Sequence, residues 1–489
     1  MEDLPFDILE RRIFYYLKGR DILRLSMISK AFRKRLFHIQ VFSKCGIGHQ
    51  YLWPVLQPDV ENTFQYQTAI TSLRNCNWIF PQIDISIKTL LQIHQELPRT
   101  ELLRIKVTAG ERSEYITLAS ILPNLKAKKI QLNGHFAQID CLELLNCPKV
   151  YDLCVGISTN LDHYEENITK YKNFVSLSTI TRLSIMHNNL DDQFIAVMKP
   201  VMINSKLKYL NLSGNFIENE GARNIAETLV KTNITCLDIS FNPIMKNGIQ
   251  AILSSLPHSK LNELYLGEHL IDEENLDLEY IERSQLETFH FENELTIENQ
   301  LTINKIISKT KLKNIALWTR TRLFDEFLQQ CAKSVLTTVS FGFVFSEEDA
   351  FILSCHLPNL PFKEITIERP EVENNQMLFK SLANSNTIKI TGFAVDFYSV
   401  RDLIPRTNLQ YIELYNILDD DICSVLNQSK IRTVVVKEEF QFAQAESMFD
   451  AYSKSKLSEL VIAVECNYRV LHLAKQFPKE IIFSYQGDE

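Results

Sequence analysis

Glu263, Tyr265, His290 and Trp318 are the residues whose types and spacing suit recognition chemistry. A phenol, an imidazole and an indole on consecutive or near-consecutive strands, with a carboxylate beside them, give aromatic anchors ringed by charge. That is the composition of a protein-binding surface. Tyr209 offers another aromatic of the same kind. Catalysis finds no comparable set. His290 and Glu263 alone do not make a catalytic pair, since such pairs arise freely in a long array. The chain has no Gly-rich phosphate loop, no GxSxG and no HExxH. Its cysteines, at 45, 76, 141, 147, 154, 236, 331, 355, 423 and 466, form no CxxC, and no two histidines stand at zinc spacing. The expectation is a non-catalytic protein without metal or cofactor.

The elements that must hold these side chains are visible as a repeat. LKYLNLSGN at 207–215 returns as ITCLDISFN at 234–242 and as LNELYLGEH at 261–269. Leu207, Ile234 and Leu261 are 27 residues apart, and so are Leu210, Leu237 and Leu264, and Leu212, Ile239 and Leu266. A fixed period of this size means a solenoid. In each LxL the leucines point into a core and the residue between them faces the other way. NEGARNIAETLVKT and MKNGIQAILSSLPH follow, with apolar residues at helical steps. LxxLxLxxN resembles the leucine-rich repeat. The resemblance implies a horseshoe with a parallel concave sheet and helices outside, and gives Asn215 and Asn242 the role of bonding to backbone as the chain leaves the strand. Degenerate apolar pairs continue the pattern at Cys76/Trp78, Ile105/Val107, Ile130/Leu132, Leu153/Val155 and Leu183/Ile185. Beyond the clear copies they run from Phe289/Phe291 through Ile315/Leu317, Val339/Phe341, Ile365/Ile367, Ile388/Ile390, Ile412/Leu414, Val434/Val436 and Leu460/Ile462 to Ile481/Phe483. That predicts about 17 repeats over residues 73–489. After Asn242 the asparagine gives way to Glu294, Arg320 and Val344, which implies a different turn there.

Ahead of the array stands LPFDILERRIFYYLKGRDILRLSMISKAFRKRL, residues 4–36. Leu9, Ile13 and Leu17 lie on one helical face. Asp21 is placed to cap a second helix with Ile22, Leu25 and Ile28, and Ser29 a third with Phe32 and Leu36. Three short helices make too small a core to stand alone. Leu4-Pro5, Ile8-Leu9, Ile13-Phe14, Leu17, Asp21-Ile22-Leu23, Leu25-Ser26, Ile28-Ser29-Lys30 and Phe32-Arg33 together resemble an F-box, assigned to residues 1–45. Glu10-Arg11-Arg12 adds one residue to the usual spacing, and Phe32 stands where many relatives have Trp. Residues 46–72, with Gly46, Gly48, Pro54 and Pro58, read as a connector that packs on the first repeat.

The fold class is therefore α/β: a three-helix F-box followed by a leucine-rich-repeat solenoid. F-box plus repeats resembles the substrate receptors of SCF-type cullin–RING ubiquitin ligases. The family implies that Leu4, Pro5, Ile8, Leu9, Ile13, Phe14, Leu17, Ile22, Leu25, Ile28 and Phe32 serve the small core and the contact with the Skp adaptor and cullin. Tyr265, His290, Trp318, Tyr209 and Glu263 would then face the protein target. Two other readings stand beside it: an adaptor-independent repeat module with the first helices as a cap, and a secreted bacterial effector that mimics a host F-box protein. The net charge of −8 argues against nucleic acid as ligand. No apolar run is long enough to span a bilayer and no leader segment is evident, so the expected location is cytoplasmic or nuclear, or the host cytoplasm for an effector.

Overall fold

The computed structural model describes residues 79–87, 90–91, 94–95, 97, 99–107, 117–118, 120–135, 150–156, 180–267, 275–318, 323–372, 376–392, 395–415, 422–437, 442–463, 473 and 481–483. The expected F-box with its residues Leu4 to Phe32, the connector 46–72, Cys76, Trp78 and Arg320 lie outside them. The chain forms two compact units that part after Pro243.

The first unit holds strands β1 (Ile79–Ser86), β2 (Arg99–Val107), β3 (Ala127–His135), β4 (Val150–Gly156), β5 (Arg182–Ile185), β6 (Tyr209–Asn211) and β7 (Cys236–Asp238). Each is parallel to the next in sequence. Helices α1 (Asp192–Ile203) and α2 (Asn219–Leu229) follow β5 and β6. Leu183, Ile185, Leu210, Leu212, Leu237 and Ile239 are buried with Phe194, Ile195, Met198, Ile225 and Leu229 from these helices. Asp191 caps α1 by accepting from the Phe194 amide at 3.0 Å. At the other end of the register, Leu132 pairs with Leu153, so the residue in line with Val155 is Gly134. Ile130 and Leu132 are both fully buried as expected, but it is Leu132 and not Ile130 that stands beside Leu153, and the pairing is irregular between Ile130 and Gln131.

Asparagine side chains close the turns of this unit. Asn215 Nδ2 donates to the carbonyls of Ile185 and Leu212, both at 2.8 Å, and Oδ1 accepts from the amides of Asn188 at 2.9 Å and Leu190 at 3.1 Å. Asn242 repeats the device one strand on, donating to Leu212 and Ile239 at 2.9 Å and accepting from Ile217 at 3.0 Å. Each asparagine thereby ties its own turn to the preceding repeat. The residue before each is left-handed, with φ of 65° at Gly214 and 55° at Phe241, and His187 before Asn188 has the same conformation at 54°. Gly214 has a second reason to be glycine, since a Cβ there would collide with the His187 ring.

The second unit opens with α3 (Lys246–Ser255) and holds β8 (Glu263–Leu266), β9 (Thr288–Phe291), β10 (Asn314–Leu317), β11 (Thr338–Phe345), β12 (Glu364–Pro370), β13 (Lys389–Thr391), β14 (Val395–Asp396), β15 (Tyr411–Tyr415), β16 (Thr433–Val436), β17 (Glu459–Ile462) and β18 (Ile481–Phe483). All pairings are parallel. Helices α4 (Ile297–Ile307), α5 (Phe324–Cys331), α6 (Glu347–His356), α7 (Gln376–Leu382), α8 (Phe397–Val400), α9 (Ile422–Gln428) and α10 (Phe442–Lys454) intervene. Where Val344 replaces asparagine the chain does not turn: β11 runs on to Phe345, with Val344 beside Arg369. Phenylalanine fills this part of the core, Phe324 standing edge-on to Phe341 at 5.3 Å and to Phe345 at 6.1 Å.

One repeat departs from the expected pairing. Ile390 stands beside Ile365 and next to Ile412, so Ile388 is not its strand's first inward residue. The place in line with Ile367 falls to Gly392, whose φ is 77° and whose Cβ would strike the Ile367 carbonyl. The strand breaks there and resumes as β14, where Val395 pairs with Leu414. Glu413, only 5 % exposed, holds the break: Oε1 accepts from the Tyr411 hydroxyl at 2.9 Å and the Gly392 amide at 3.3 Å, and Lys437 Nζ is 3.6 Å from Oε2.

A hydroxyl staple links helix to strand throughout. Ser205 Oγ donates to Met202 O at 2.7 Å and accepts from the Leu207 amide at 3.3 Å. Ser259, Ser284, Thr310, Ser334, Ser385, Thr407, Ser429 and Ser455 make the same two bonds, back three residues and forward two. They satisfy backbone groups that a buried turn would otherwise strand.

Candidate protein-binding face of the sheet

In a parallel stack held in register, residues two apart on one strand share a face, and equivalent residues of adjacent strands form rows about 4.8 Å apart. On the face turned away from the leucines of the second unit, Tyr265 and His290 are directly opposite each other. Their ring centroids are 4.6 Å apart at 56°. The Tyr265 hydroxyl donates to Glu263 Oε2 at 3.3 Å along the same strand. Burial pulls the His290 pKa below its ordinary value of 6.5, and the nearby Glu263 charge offsets part of that. His290 is therefore neutral near neutral pH. The structure assembles Glu263, Tyr265 and His290 into one half-buried cluster.

Trp318 is not part of it. Ala316 is the residue beside His290, and Trp318 follows two positions later. Its indole lies across the next strand at Gly342, where a Cβ would come within 2.6 Å of the ring atoms Cγ and Cδ2. The Arg369 guanidinium covers the indole at 5.3 Å from its centroid. Further along, Lys389 Nζ stands 5.4 Å from the Tyr411 ring centre and 3.9 Å from Glu364. Burial, with the neighbouring Glu413 carboxylate, holds the Tyr411 phenol far above its ordinary range.

Tyr209 belongs to the first unit and to a separate polar row. Arg104, Gln131, Asp152, Arg182 and Tyr209 are successive residues across β2 to β6. Arg104 Nε donates to Gln131 Oε1 at 2.9 Å, Arg182 Nε lies 3.3 Å from Asp152 Oδ2, and the Arg182 guanidinium sits 3.9 Å above the Tyr209 ring. Burial raises the Asp152 pKa, and Arg182 works against that rise. Reading only LxL singled out Tyr209. The row emerges when the residue preceding the first strand leucine is compared from copy to copy, giving Asp152, Arg182 and Tyr209.

Among the described residues no group of three or more His, Cys, Asp and Glu side chains could hold a metal ion, and no helix is long and apolar enough to cross a membrane. Cys236 and Cys331 are buried and Cys355 is exposed; burial drives the Cys331 thiol well above its usual pKa.

The family model described as "Leucine Rich repeat" matches residues 204–226 and 230–253. The chain carries leucine-rich repeats. The match falls on the two copies in which asparagine closes the turn and strand and helix alternate most regularly. Such repeats present an extended surface for protein–protein binding. No curated protein matches the sequence. Among solved structures, the actin-binding site 2 of leiomodin-1 is similar at 18% identity, over 31% of this chain and 90% of that one, with a TM-score of 0.25. The complex of Rad7 and Elc1 from yeast is similar at 12% identity over 69% of this chain and 76% of that one, with a TM-score of 0.35. An internalin, InlF, from Listeria monocytogenes is similar at 14% identity over 67% and 96% respectively, also with a TM-score of 0.35.

Proposed function

We propose that this chain is a non-catalytic substrate receptor of an SCF-type ubiquitin ligase: residues 1–45 engage the Skp adaptor, and through it cullin, while the repeats hold a protein target. The observation that carries the reading is the ordered series Leu4-Pro5, Ile8-Leu9, Ile13-Phe14, Leu17, Asp21-Ile22-Leu23, Ile28-Ser29-Lys30 and Phe32-Arg33 ahead of a repeat array whose sheet presents aromatic residues among carboxylates. A plain cap for the array has no need of that series. The chemistry of such a receptor is proximity: a target lysine held beside a ubiquitin-charged conjugating enzyme reacts at high effective concentration. The test is capture of purified Skp adaptor by the full chain and by Leu9→Asp with Ile13→Asp. Wild type retains the adaptor and the double variant loses it, with the repeat array still folded by circular dichroism. Undiminished capture by the variant removes the F-box assignment. Absence of capture by the wild type favours a repeat module that works without the adaptor.

A further inference from the structure

On both units the outward face uses one recurring arrangement: an aromatic ring, a carboxylate within reach, and a cation of the chain's own laid on the ring. Arg182 fills it on Tyr209 beside Asp152, at 3.9 Å from the ring centre. Lys389 fills it on Tyr411 beside Glu364. Arg369 lies on Trp318 as the ring and cation parts alone.

Glu263, Tyr265 and His290 repeat the aromatic and acidic parts of this arrangement. Glu263 accepts the Tyr265 hydroxyl, yet among the described residues no lysine or arginine pairs with it. We propose that the Glu263–Tyr265–His290 cluster receives an arginine or lysine side chain from a basic, extended segment of a protein partner.

The side chain's methylene stem would lie along the half-buried rings and its cation would reach the Glu263 carboxylate. The surrounding face suits such a segment. In and just after its strands it carries Glu263, Glu292, Glu364, Glu368, Glu413 and Glu459 against Arg369, Lys389 and Lys437. Glu263, Glu364 and Glu459 occupy a single row, on β8, β12 and β17, four strand steps apart each time. Four steps of about 4.8 Å correspond to roughly five or six residues of extended chain. Lys389 already stands beside Glu364, so basic residues of the partner would meet Glu263 and Glu459 at the two ends of the row. His290, kept neutral by burial, adds no repulsion to an incoming cation.

This inference rests on the outward face being the target-binding surface, and not on the adaptor. The probe is a labelled twelve-residue peptide of arginine alternating with serine, compared with the same peptide carrying citrulline for arginine. Binding to the full chain is followed by fluorescence anisotropy at low salt. The arginine peptide binds about tenfold tighter than the citrulline peptide, and Glu263→Gln brings the two to within about threefold. Tyr265→Leu gives the same loss by removing the ring, which covers the case in which one variant folds poorly. Glu279→Gln, which removes a carboxylate already paired with Lys305 at 2.9 Å, leaves binding unchanged. Equal binding of the two peptides by wild type, or equal loss in Glu279→Gln and Glu263→Gln, overturns the assignment. Because the adaptor is absent from this measurement, the peptide and Skp results fail independently.

Discussion

Asn215→Ala isolates the chemistry that closes the turns of the first unit. The substitution removes the acceptor of two buried amides, Asn188 and Leu190, and the donor to the Ile185 carbonyl. The Leu212 carbonyl keeps a partner, because Asn242 Nδ2 also reaches it at 2.9 Å. A buried polar group left unmatched costs about 1–3 kcal/mol, so two amides with partial relaxation give about 3–5 kcal/mol of local stability. A single melting midpoint is a poor readout, since repeat arrays unfold segment by segment. Amide hydrogen exchange at Leu212 is better: its N–H bonds to Asp238 O at 2.8 Å, a bond the substitution does not touch. Its exchange should accelerate by about a hundredfold or more, at 1.4 kcal/mol for each factor of ten. Asn211→Ala serves as the comparison, because among the described residues Asn211 Oδ1 accepts from the Ser213 amide alone, at 2.9 Å, and its loss should cost about 1 kcal/mol. A change below about tenfold at Leu212 in Asn215→Ala, or an equal change in both variants, refutes the idea that this side chain carries the turn.

Two further outcomes follow from the second unit. Gly392→Ala places a methyl group against the Ile367 carbonyl at a φ of 77°, so it should cost about 2 kcal/mol or more and speed exchange in β13 and β15; unchanged exchange there refutes the account of the strand break. His290 has a folded pKa below its unfolded value, so its contribution is intact above the unfolded pKa of about 6.5, where both states are neutral. As pH falls through that value toward the folded one, the unfolded chain binds the proton first and stability drops. His290→Gln should flatten the fall in amide protection factors of β8 and β9 between about pH 7 and pH 5, and parallel profiles for the two proteins would refute the burial argument.

How much of this was legible depended on whether a residue acts through its own repeat or through its neighbour's. Asn215 and Asn242 act on backbone at fixed offsets, and the role that the leucine-rich-repeat resemblance implies for them is the one they have. The hydroxyl staple was equally periodic, as Ser205-Lys-Leu207, Ser259-Lys-Leu261 and Thr310-Lys-Leu312 show, but a search keyed on leucines passes over it. Alternation along the strand placed Tyr265 and His290 on one face, and parallel pairing made them neighbours. Trp318 followed the same alternation and still went elsewhere. Its direction was settled by Gly342, a missing Cβ on the next strand, and by Arg369 another strand on. Ile388/Ile390 failed for a related reason: the left-handed Gly392 moves the inward pair, and nothing in an apolar pattern records a φ angle.

Rows across the sheet, more than runs along the chain, therefore set the chemistry of the outward face. Arg182 and Tyr209 are 27 residues apart and in contact, as are Tyr265 and His290 at a separation of 25. In such an array a charge is neutralised by its counterpart in the adjoining copy, so a substitution in one repeat alters the site in the next. Lys305, Lys309 and Lys313 show this on the side of the helices and turns, reaching Glu279, Glu282 and Glu287 of the preceding repeat at 2.9, 4.0 and 2.8 Å. These exposed pairs add little stability. They place a cation beside each carboxylate, whereas among the described residues Glu263 on the sheet face has no lysine or arginine beside it and stands next to two aromatic rings.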